Sequence, residues 1–367
     1  MVQYSDDTSN SFQKQWTTNF DGIHNLQLRS EVVPKVEHDE EVLIRINTIS
    51  LNYRDTAIVR GHHRQHNSDF TSTVVPCSDA CATVVGVGRS AASQFKIGER
   101  VMAVYNQQHM TGQIRAEDMS SGIGHPLPGV LQEYRIFPAS GLVKVPDYLS
   151  DEEACCLPIA GVTAWMSING TRPIGQPLEK GEGGEEITVL IQGTGGVSIS
   201  GLQIAKAAGA KVIVTSSSDE KLARAKGLGA DFTINYRTNP DWHEDVWKLT
   251  NGHGADNIFE NGGDATLRKS FDAVAFGGLI NCIGYLSEKL DSADDRAGIN
   301  VLVLRRVVTL KGIFNGPKDR FEEMLEFYEK HKIRPVVDRV FGFADAKDAL
   351  NYVAEGQHFG KIVIKAP

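Results

Sequence analysis

The sequence is short of long apolar runs. No segment approaches the length of a bilayer crossing, which excludes a protein anchored by membrane-spanning helices. Its opening, MVQYSDDTSNSFQKQW, is polar throughout and lacks the apolar core of a secretory signal, so the expected location is the cytoplasm. Positive charge is scarce: 38 Lys and Arg stand against 46 Asp and Glu, a net charge of −8. No basic or aromatic-rich patch reverses that balance, so neither a nucleic acid nor an anionic membrane surface is an expected partner. Cysteine is scarce as well, five in 367 residues. An odd number scattered through a long chain excludes a disulfide framework and predicts reduced, mostly buried thiols at Cys77, Cys81, Cys155, Cys156 and Cys282. Internal repeats and low-complexity tracts are absent. What remains, 41% hydrophobic and 23% charged residues, is the composition of a globular chain long enough for two domains.

From about residue 187 short β-branched runs alternate with segments of helical period, as parallel βαβ units require. "ITVLIQ" is followed by a helix with Ile199, Leu202, Ala205 and Ala208 on one face, then by the strand "KVIVT". "EKLARAKGLGA" reads as a helix ended by Gly229, and "FTINY", "HEDVWKLT", "NIFEN", the helical "LRKSFDAVAFGG" and the strand "LINCIGY" continue the alternation. The fold class is therefore α/β, with a doubly wound parallel sheet covered by helices on both faces. The first 150 residues differ: "EEVLIRINTIS", "CATVVGVG" and "ERVMAVY" are strand-like runs between polar or glycine-rich turns, and predict a mostly β domain. Near the C-terminus "DRFEEMLEFYEKH" predicts a helix and "KIVIKA" a strand able to return to that first domain. "SEKLDSADDRAG" reads as a surface loop.

The stretch "VLIQGTGGVS" carries the chemistry. Gly193 would leave the strand through a tight turn, Gly195 would let a pyrophosphate approach the backbone, and a helix beginning near Gly196 would aim free N–H groups at it. Gly193, Thr194, Gly195, Gly196 and Val197 are thus candidate dinucleotide contacts, with the small Ser198 in the place of the usual third glycine. NAD-selective sites carry an acid at the end of the second strand; here that place holds Thr215, Ser216, Ser217 and Ser218, with Lys221 one helical turn later. Hydroxyls and a cation suit a 2′-phosphate, which predicts NADPH. The alternative is that the serines merely cap the next helix, and Asp219 then leaves room for NADH.

Beyond the glycine string, "SLNYRDTAIVRG", "KIGERVMAV", "GVLQEYRIFP", "LSDEEACCLPIAGVTAW", "AKAAGAKVI", "LGAD" and "GKIVI" follow one another in order. Together these motifs, spread over nearly the whole chain, resemble the zinc-independent branch of the medium-chain dehydrogenase/reductase superfamily, which includes quinone oxidoreductases and enoyl reductases. The resemblance implies a GroES-like catalytic domain at 1–159 and 313–367 around an inserted Rossmann domain at 160–312, a cofactor cleft, and a homodimer. It implies that Asn52, Tyr53 and Asp55 line the nicotinamide side, that Thr163 touches the nicotinamide, and that Ser217, Lys221 and Tyr236 hold the 2′-phosphate. Ile283 and Asn315 are lesser candidates near the carboxamide. Beside these stand plainer roles: Asn52 as a turn residue, Tyr53 as a core aromatic, Asp55 as a helix cap.

Zinc-dependent relatives need cysteine, histidine and acid ligands around one open tetrahedral site. Here Asn52 stands at the position resembling the first cysteine, "CSDAC" replaces the usual Gly-His-Glu, and residues 106–129 replace a lobe of four cysteines, so no metal is expected. His62, His63 and His66 of "GHHRQH" read as a polar loop, Cys77 and Cys81 as packing residues, and His109 and His125 as solvated loop histidines. The insertion 106–129 is expected to overhang the substrate side and set specificity. Without a Lewis acid, hydride transfer to an electron-poor C=C bond or quinone is the expected reaction, with Tyr53 or a water supplying the proton to the small-molecule substrate. Reduction of an activated carbonyl is the alternative. A cofactor-binding protein with little redox turnover is another.

Overall fold

Val189, Leu190 and Ile191 stand side by side with no polar residue among them, and all three are fully buried, as a strand covered on both faces demands. The computed structural model describes residues 2–5, 12–62, 73–181, 183–284 and 298–367. These divide into two units, Met1–Val162 with Gly316–Pro367, and Thr163–Asn315.

The unit Thr163–Asn315 is built on six parallel strands in the order Phe232–Asn235, Lys211–Ser216, Thr188–Gln192, Ala255–Glu260, Val274–Cys282, Thr309–Gly312. Strand order reverses between Thr188–Gln192 and Ala255–Glu260, the switch point at which open α/β sheets leave a crevice for a ligand. Helices Gly196–Ala207, Asp219–Gly227, Trp242–Leu249 and Asp264–Ala273 make the first four crossovers, and Ile299–Arg305 precedes the last strand. Leu190, Ile213, Ile258 and Ile280 pack with Phe271 and Trp242 in a continuous apolar core. One expectation needs correcting: Val274–Gly278, read as helix from the "AVAFGG" spacing, opens the fifth strand. Gly277 there has φ +76 and the register with Ala255–Glu260 shifts just beyond Ala255, so a bulged strand start looked helical in sequence.

The other unit is mostly β. Its eight-stranded sheet centres on Glu41–Leu51, whose Val42, Ile44 and Ile46 and, beyond a register shift, Ile49 face the main core. On one side Asp79–Val87 runs antiparallel to it, with Ser50 opposite Asp79. On another Lys361–Lys365 runs antiparallel, with Ile362 opposite Leu51. The C-terminal strand thus does return to the first domain, and Val337–Gly342 pairs parallel to it on its far edge. Among the described residues no helix is long and apolar enough to cross a membrane. "SEKLDSADDRAG", apart from its final Gly298, lies outside the described residues.

Candidate functional site

The register of three strands brings the polar residues of the first unit together. Asn52 follows the last residue of Glu41–Leu51, Asp79 begins its neighbour on one side, and Lys361 begins its neighbour on the other. The three meet at one corner of the sheet. Asn52 Nδ2 donates to Asp79 Oδ2 at 3.0 Å, and Lys361 Nζ donates to Asn52 Oδ1 and to the Leu51 carbonyl, both at 2.7 Å. The ammonium also lies 4.0 Å from Asp79 Oδ2. Asn52 is the N-cap of the helix Tyr53–Val59, and its backbone N–H donates to Asp55 Oδ2 at 2.8 Å. Asp55 therefore does serve as a helix-start acceptor, and its side chain is fully buried. Arg54 Nη1 lies 3.3 Å from Asp55 Oδ1 and 3.2 Å from the Ile123 carbonyl, with its guanidinium over the Tyr105 ring. Two buried carboxylates are thus balanced by two cations. Burial pushes the Asp55 carboxyl up to about 6 against the pull of Arg54, and burial likewise raises Asp79 against Lys361 and its hydrogen-bond donors. Tyr53, by contrast, is 48% exposed at the first helical position, which rules out a core aromatic.

In the second unit Gly193 adopts φ +77, a left-handed turn that a side chain would strain, and Gly195 caps the helix Gly196–Ala207 with no side chain of its own in the way. The first N–H groups of that helix have no acceptor within it, and Thr194 beside them is buried. Below the turn the two strand ends at the switch point are clamped. Gln192 Nε2 donates to Glu260 Oε2 at 2.8 Å, and the other Glu260 oxygen accepts from the Gly262 and Gly263 N–H groups, each at 3.0 Å, and from the Thr266 hydroxyl. Ser198 is buried against the strand end, where its hydroxyl donates to the Gln192 carbonyl at 2.9 Å, and Gly201, one turn on, makes a further close approach: a Cβ there would stand 2.6 Å from Phe259 Cε1. Thr163, in the helix Val162–Asn169, has a buried hydroxyl with no hydrogen-bond partner among the described residues. An orphaned hydroxyl of that kind is a place for a ligand atom.

At the end of Lys211–Ser216 the three serines divide their roles. Ser218 caps the next helix by accepting from the Lys221 N–H at 3.3 Å, and Ser216 Oγ accepts from the Ser218 N–H at 3.4 Å. Ser217, half-buried between them, keeps its hydroxyl uncommitted among the described residues. Asp219, the nearest acid, is engaged by Asn235 Nδ2 at 2.7 Å. Tyr236 is 43% exposed on the adjoining strand end. Ile283 leaves Val274–Cys282 with its N–H on the Glu260 carbonyl at 2.9 Å, and Asn315 is buried at the end of the unit. Thus Asn52, Tyr53 and Asp55 belong to the first unit, and every candidate cofactor residue from Thr163 to Asn315 belongs to the second.

Comparison with known proteins decides the family. Residues 38–147 match the alcohol dehydrogenase GroES-like domain and residues 196–330 match zinc-binding dehydrogenase. A zinc-type alcohol dehydrogenase-like protein of Schizosaccharomyces pombe is 37% identical, over 94% of this chain and 96% of its own. The chain belongs to the medium-chain dehydrogenase/reductase family. A crystal structure of a putative alcohol dehydrogenase from Sinorhizobium meliloti 1021 is similar at 35% identity and a TM-score of 0.85, covering 97% of this chain and 99% of that one. Mouse prostaglandin reductase-3 is 26% identical over 93% of this chain and 85% of its length.

As a medium-chain dehydrogenase/reductase the protein is an oxidoreductase with a GroES-like and a Rossmann-type domain. Its residues fit a nicotinamide dinucleotide: the left-handed Gly193, the uncovered helix start and the Thr163 hydroxyl are all in place. They do not fit the zinc of the matching family description. Asn52 holds out a carboxamide where a thiolate would be needed, and a lysine ammonium sits against it. Among the described residues no three His, Cys, Asp or Glu side chains are grouped to hold a metal. His63 and His66 lie outside the described residues, and His62 is exposed.

Two further points correct or extend the sequence reading. His109 and His125 are buried, not solvated, because the insertion 106–129 is sewn down. Asn106 Nδ2 donates to the Asp118 carbonyl at 2.7 Å, Gln107 Nε2 to the Val104 carbonyl at 2.6 Å, His109 Nε2 meets the Gly112 carbonyl at 3.0 Å, and the His125 ring packs edge-on against Phe20. Sequence reasoning also missed Arg54, Asp79 and Lys361. Lys361 was visible only as part of "GKIVI", with nothing to tie it to Asn52, 309 residues away.

Proposed function

We propose that the protein is an NADPH-dependent reductase that delivers hydride to an activated C=C bond or a quinone without zinc. The observation that carries the cofactor choice is the strand end after Ser216: the acid there is held by Asn235 and the Ser217 hydroxyl is open. Repulsion of a 2′-phosphate is thereby reduced, and Lys221 and Tyr236 stand on the neighbouring turn and strand end to receive it. Bound NADPH would supply the hydride. An unactivated alcohol or ketone needs a Lewis acid to stabilise charge on oxygen, whereas in an enone or quinone that charge spreads over the conjugated system. Hydrogen-bond donors then suffice, and Tyr53, exposed at a helix start, supplies the proton while Asn52 and Asp55 fix the turn that presents it.

Fluorescence titration of the metal-stripped protein tests this. NADPH is expected to bind at least about tenfold tighter than NADH, or about 1.4 kcal/mol. Equal affinity, or activity that returns only with zinc, overturns the reading. The relatives named as alcohol dehydrogenases support a second reading, reduction of a carbonyl to an alcohol, with hydride added to the carbonyl carbon and a proton to its oxygen. Product analysis separates the two, since a saturated ketone and an allylic alcohol differ in which atom gained hydrogen.

We also propose a homodimer, formed by a second copy of the chain on the Thr309–Gly312 edge. That strand pairs on one side only among the described residues, and beside it Phe276, Leu304 and Val307 are each more than 70% exposed. An open strand edge flanked by apolar residues is self-complementary about a two-fold axis.

A further inference from the structure

Two asparagines lie inside the nucleotide unit's sheet, where strands covered on both faces are ordinarily apolar. Asn257 and Phe259 alternate to one face of Ala255–Glu260, and Phe259 stands opposite Asn281 of Val274–Cys282 in register, so both amides come to that face. Both are buried, Asn281 completely. Asn257 Nδ2 donates to the Ser167 carbonyl at 2.8 Å, and Asn281 Nδ2 lies 3.1 Å from the same carbonyl and 2.9 Å from Asn257 Oδ1. That carbonyl belongs to the last turn of the helix Val162–Asn169, and no backbone N–H beyond the helix reaches it among the described residues. The Ser167 hydroxyl in turn donates one turn back, to the Thr163 carbonyl at 2.8 Å. Asn281 Oδ1 has no partner among the described residues. A buried amide left half satisfied costs stability that an apolar side chain at the same place would not. The bonds lead to Thr163, whose buried hydroxyl is also without a partner there.

Sheet order says which part of a dinucleotide that hydroxyl serves. Lys211–Ser216, with Ser217 and Lys221 beyond its end, lies on one side of Thr188–Gln192, and the strands that carry the two asparagines lie on the other. A dinucleotide seated at the switch point extends across both halves, so the half away from the 2′-phosphate is the nicotinamide half. We propose that Asn257 and Asn281 are positioning residues that fix the Thr163 hydroxyl, through the Ser167 carbonyl, where it takes hold of the nicotinamide end of the cofactor. The Asn281 amide has one workable orientation: its Nδ2 faces the Ser167 and Ile258 carbonyls and Asn257 Oδ1, and a flip would set oxygen against oxygen. A helix of 8 residues is too short to hold itself by its own hydrogen bonds. Two amides on neighbouring strands pin its last turn, and the turn that carries Thr163 is fixed with it. The role rests on the nicotinamide reading above and deepens it.

Calorimetric titration of the full-length protein separates this role from a merely structural one. NADPH is compared with 2′,5′-ADP, which has the adenosine and its phosphates but no nicotinamide. Asn281→Val is expected to weaken NADPH by about tenfold and to leave 2′,5′-ADP within about twofold of wild type. Thr163→Val is expected to do the same, and the two substitutions together to lose no more than Thr163→Val alone, because one acts through the other. Equal loss of both ligands, unchanged NADPH affinity, or losses that add would each overturn the proposal. Should Asn281→Val fail to fold, Asn257→Val, which leaves the second amide on the Ser167 carbonyl, takes its place with the same outcomes expected. Failure of that variant as well overturns the proposal, since the pair would then be a requirement of the sheet alone. A wild type that prefers NADH overturns the choice of NADPH and not this role, which is then read with NADH against ADP. A wild type that binds neither dinucleotide overturns both.

Discussion

Asp55 shows how one buried side chain can tie the stability of this fold to pH. Its carboxyl titrates near 6 in the folded chain because burial outweighs the neighbouring Arg54, whereas in an unfolded chain it titrates in the ordinary carboxylate range. Between about pH 4 and 6 the folded state therefore binds the proton more tightly, and stability falls as pH rises through that window, by at most about 3 kcal/mol, then stays level with respect to this group. Asp55→Asn should remove that component. Urea midpoints of wild type and variant, compared at successive pH values, are expected to diverge in favour of the variant as pH rises from 4 to 6, and parallel profiles would show that Asp55 is not the group responsible. Tyr53 makes a kinetic prediction at the same scale. Tyr53→Phe should lose turnover by roughly the 10²–10⁴ typical of a general acid while NADPH titrates as before. Unchanged turnover would assign the proton to a water. Asn52, Asp55 and Tyr53 could be picked out in sequence because they share one short motif. Their partners Asp79 and Lys361 could not, because the bonds that join them cross strands distant in sequence and only register makes them neighbours.

At the scale of elements, the nucleotide unit was largely readable, since β-branched runs and helical spacing alternate cleanly and each strand is covered on both faces. Two details escaped. Periodicity took the first half of Val274–Cys282 for helix, because a bulge with a left-handed glycine breaks the strand pattern. The glycine fingerprint pointed to Ser198, whose hydroxyl does reach the strand end at the Gln192 carbonyl, but it gave no sign of the tight approach to Phe259 at Gly201. A methyl group there would stand 2.6 Å from the ring, so Gly201→Ala should destabilise the fold by about 1–3 kcal/mol despite the better helix propensity of alanine. Chemical denaturation measures this directly; a neutral or stabilising result would mean that the Phe259 ring yields. The histidines of the insertion 106–129 were misread as solvated for a related reason. Polar composition suggested solvation, but Asn106 satisfies a backbone carbonyl inside it and Gln107 satisfies those of Val104 and Gly141 beside it, and a polar sequence can be buried when its donors are spent on the chain.

For the whole molecule, the apolar edge of the nucleotide sheet makes an association prediction. Leu304→Glu combined with Val307→Glu should shift the protein from dimer to monomer in sedimentation at micromolar concentration, with the far-ultraviolet circular dichroism unchanged. A wild type that sediments as a monomer would overturn the dimer. The two-unit organisation was legible because the change from β-alternation to βαβ rhythm is a change of period. The closure of the first unit by Lys361–Lys365 has a consequence for how the chain assembles. The Lys361 ammonium bonds to a carbonyl 310 residues earlier, and the strand it begins is synthesised after the entire nucleotide unit. The Thr48–Leu51 end of the strand Glu41–Leu51 must therefore wait with an open edge while the inserted unit is made and can already fold, a delay set by topology. Assembly should accordingly run from the inside of the sequence outward, with the corner that holds Asn52 among the last places to take its final form.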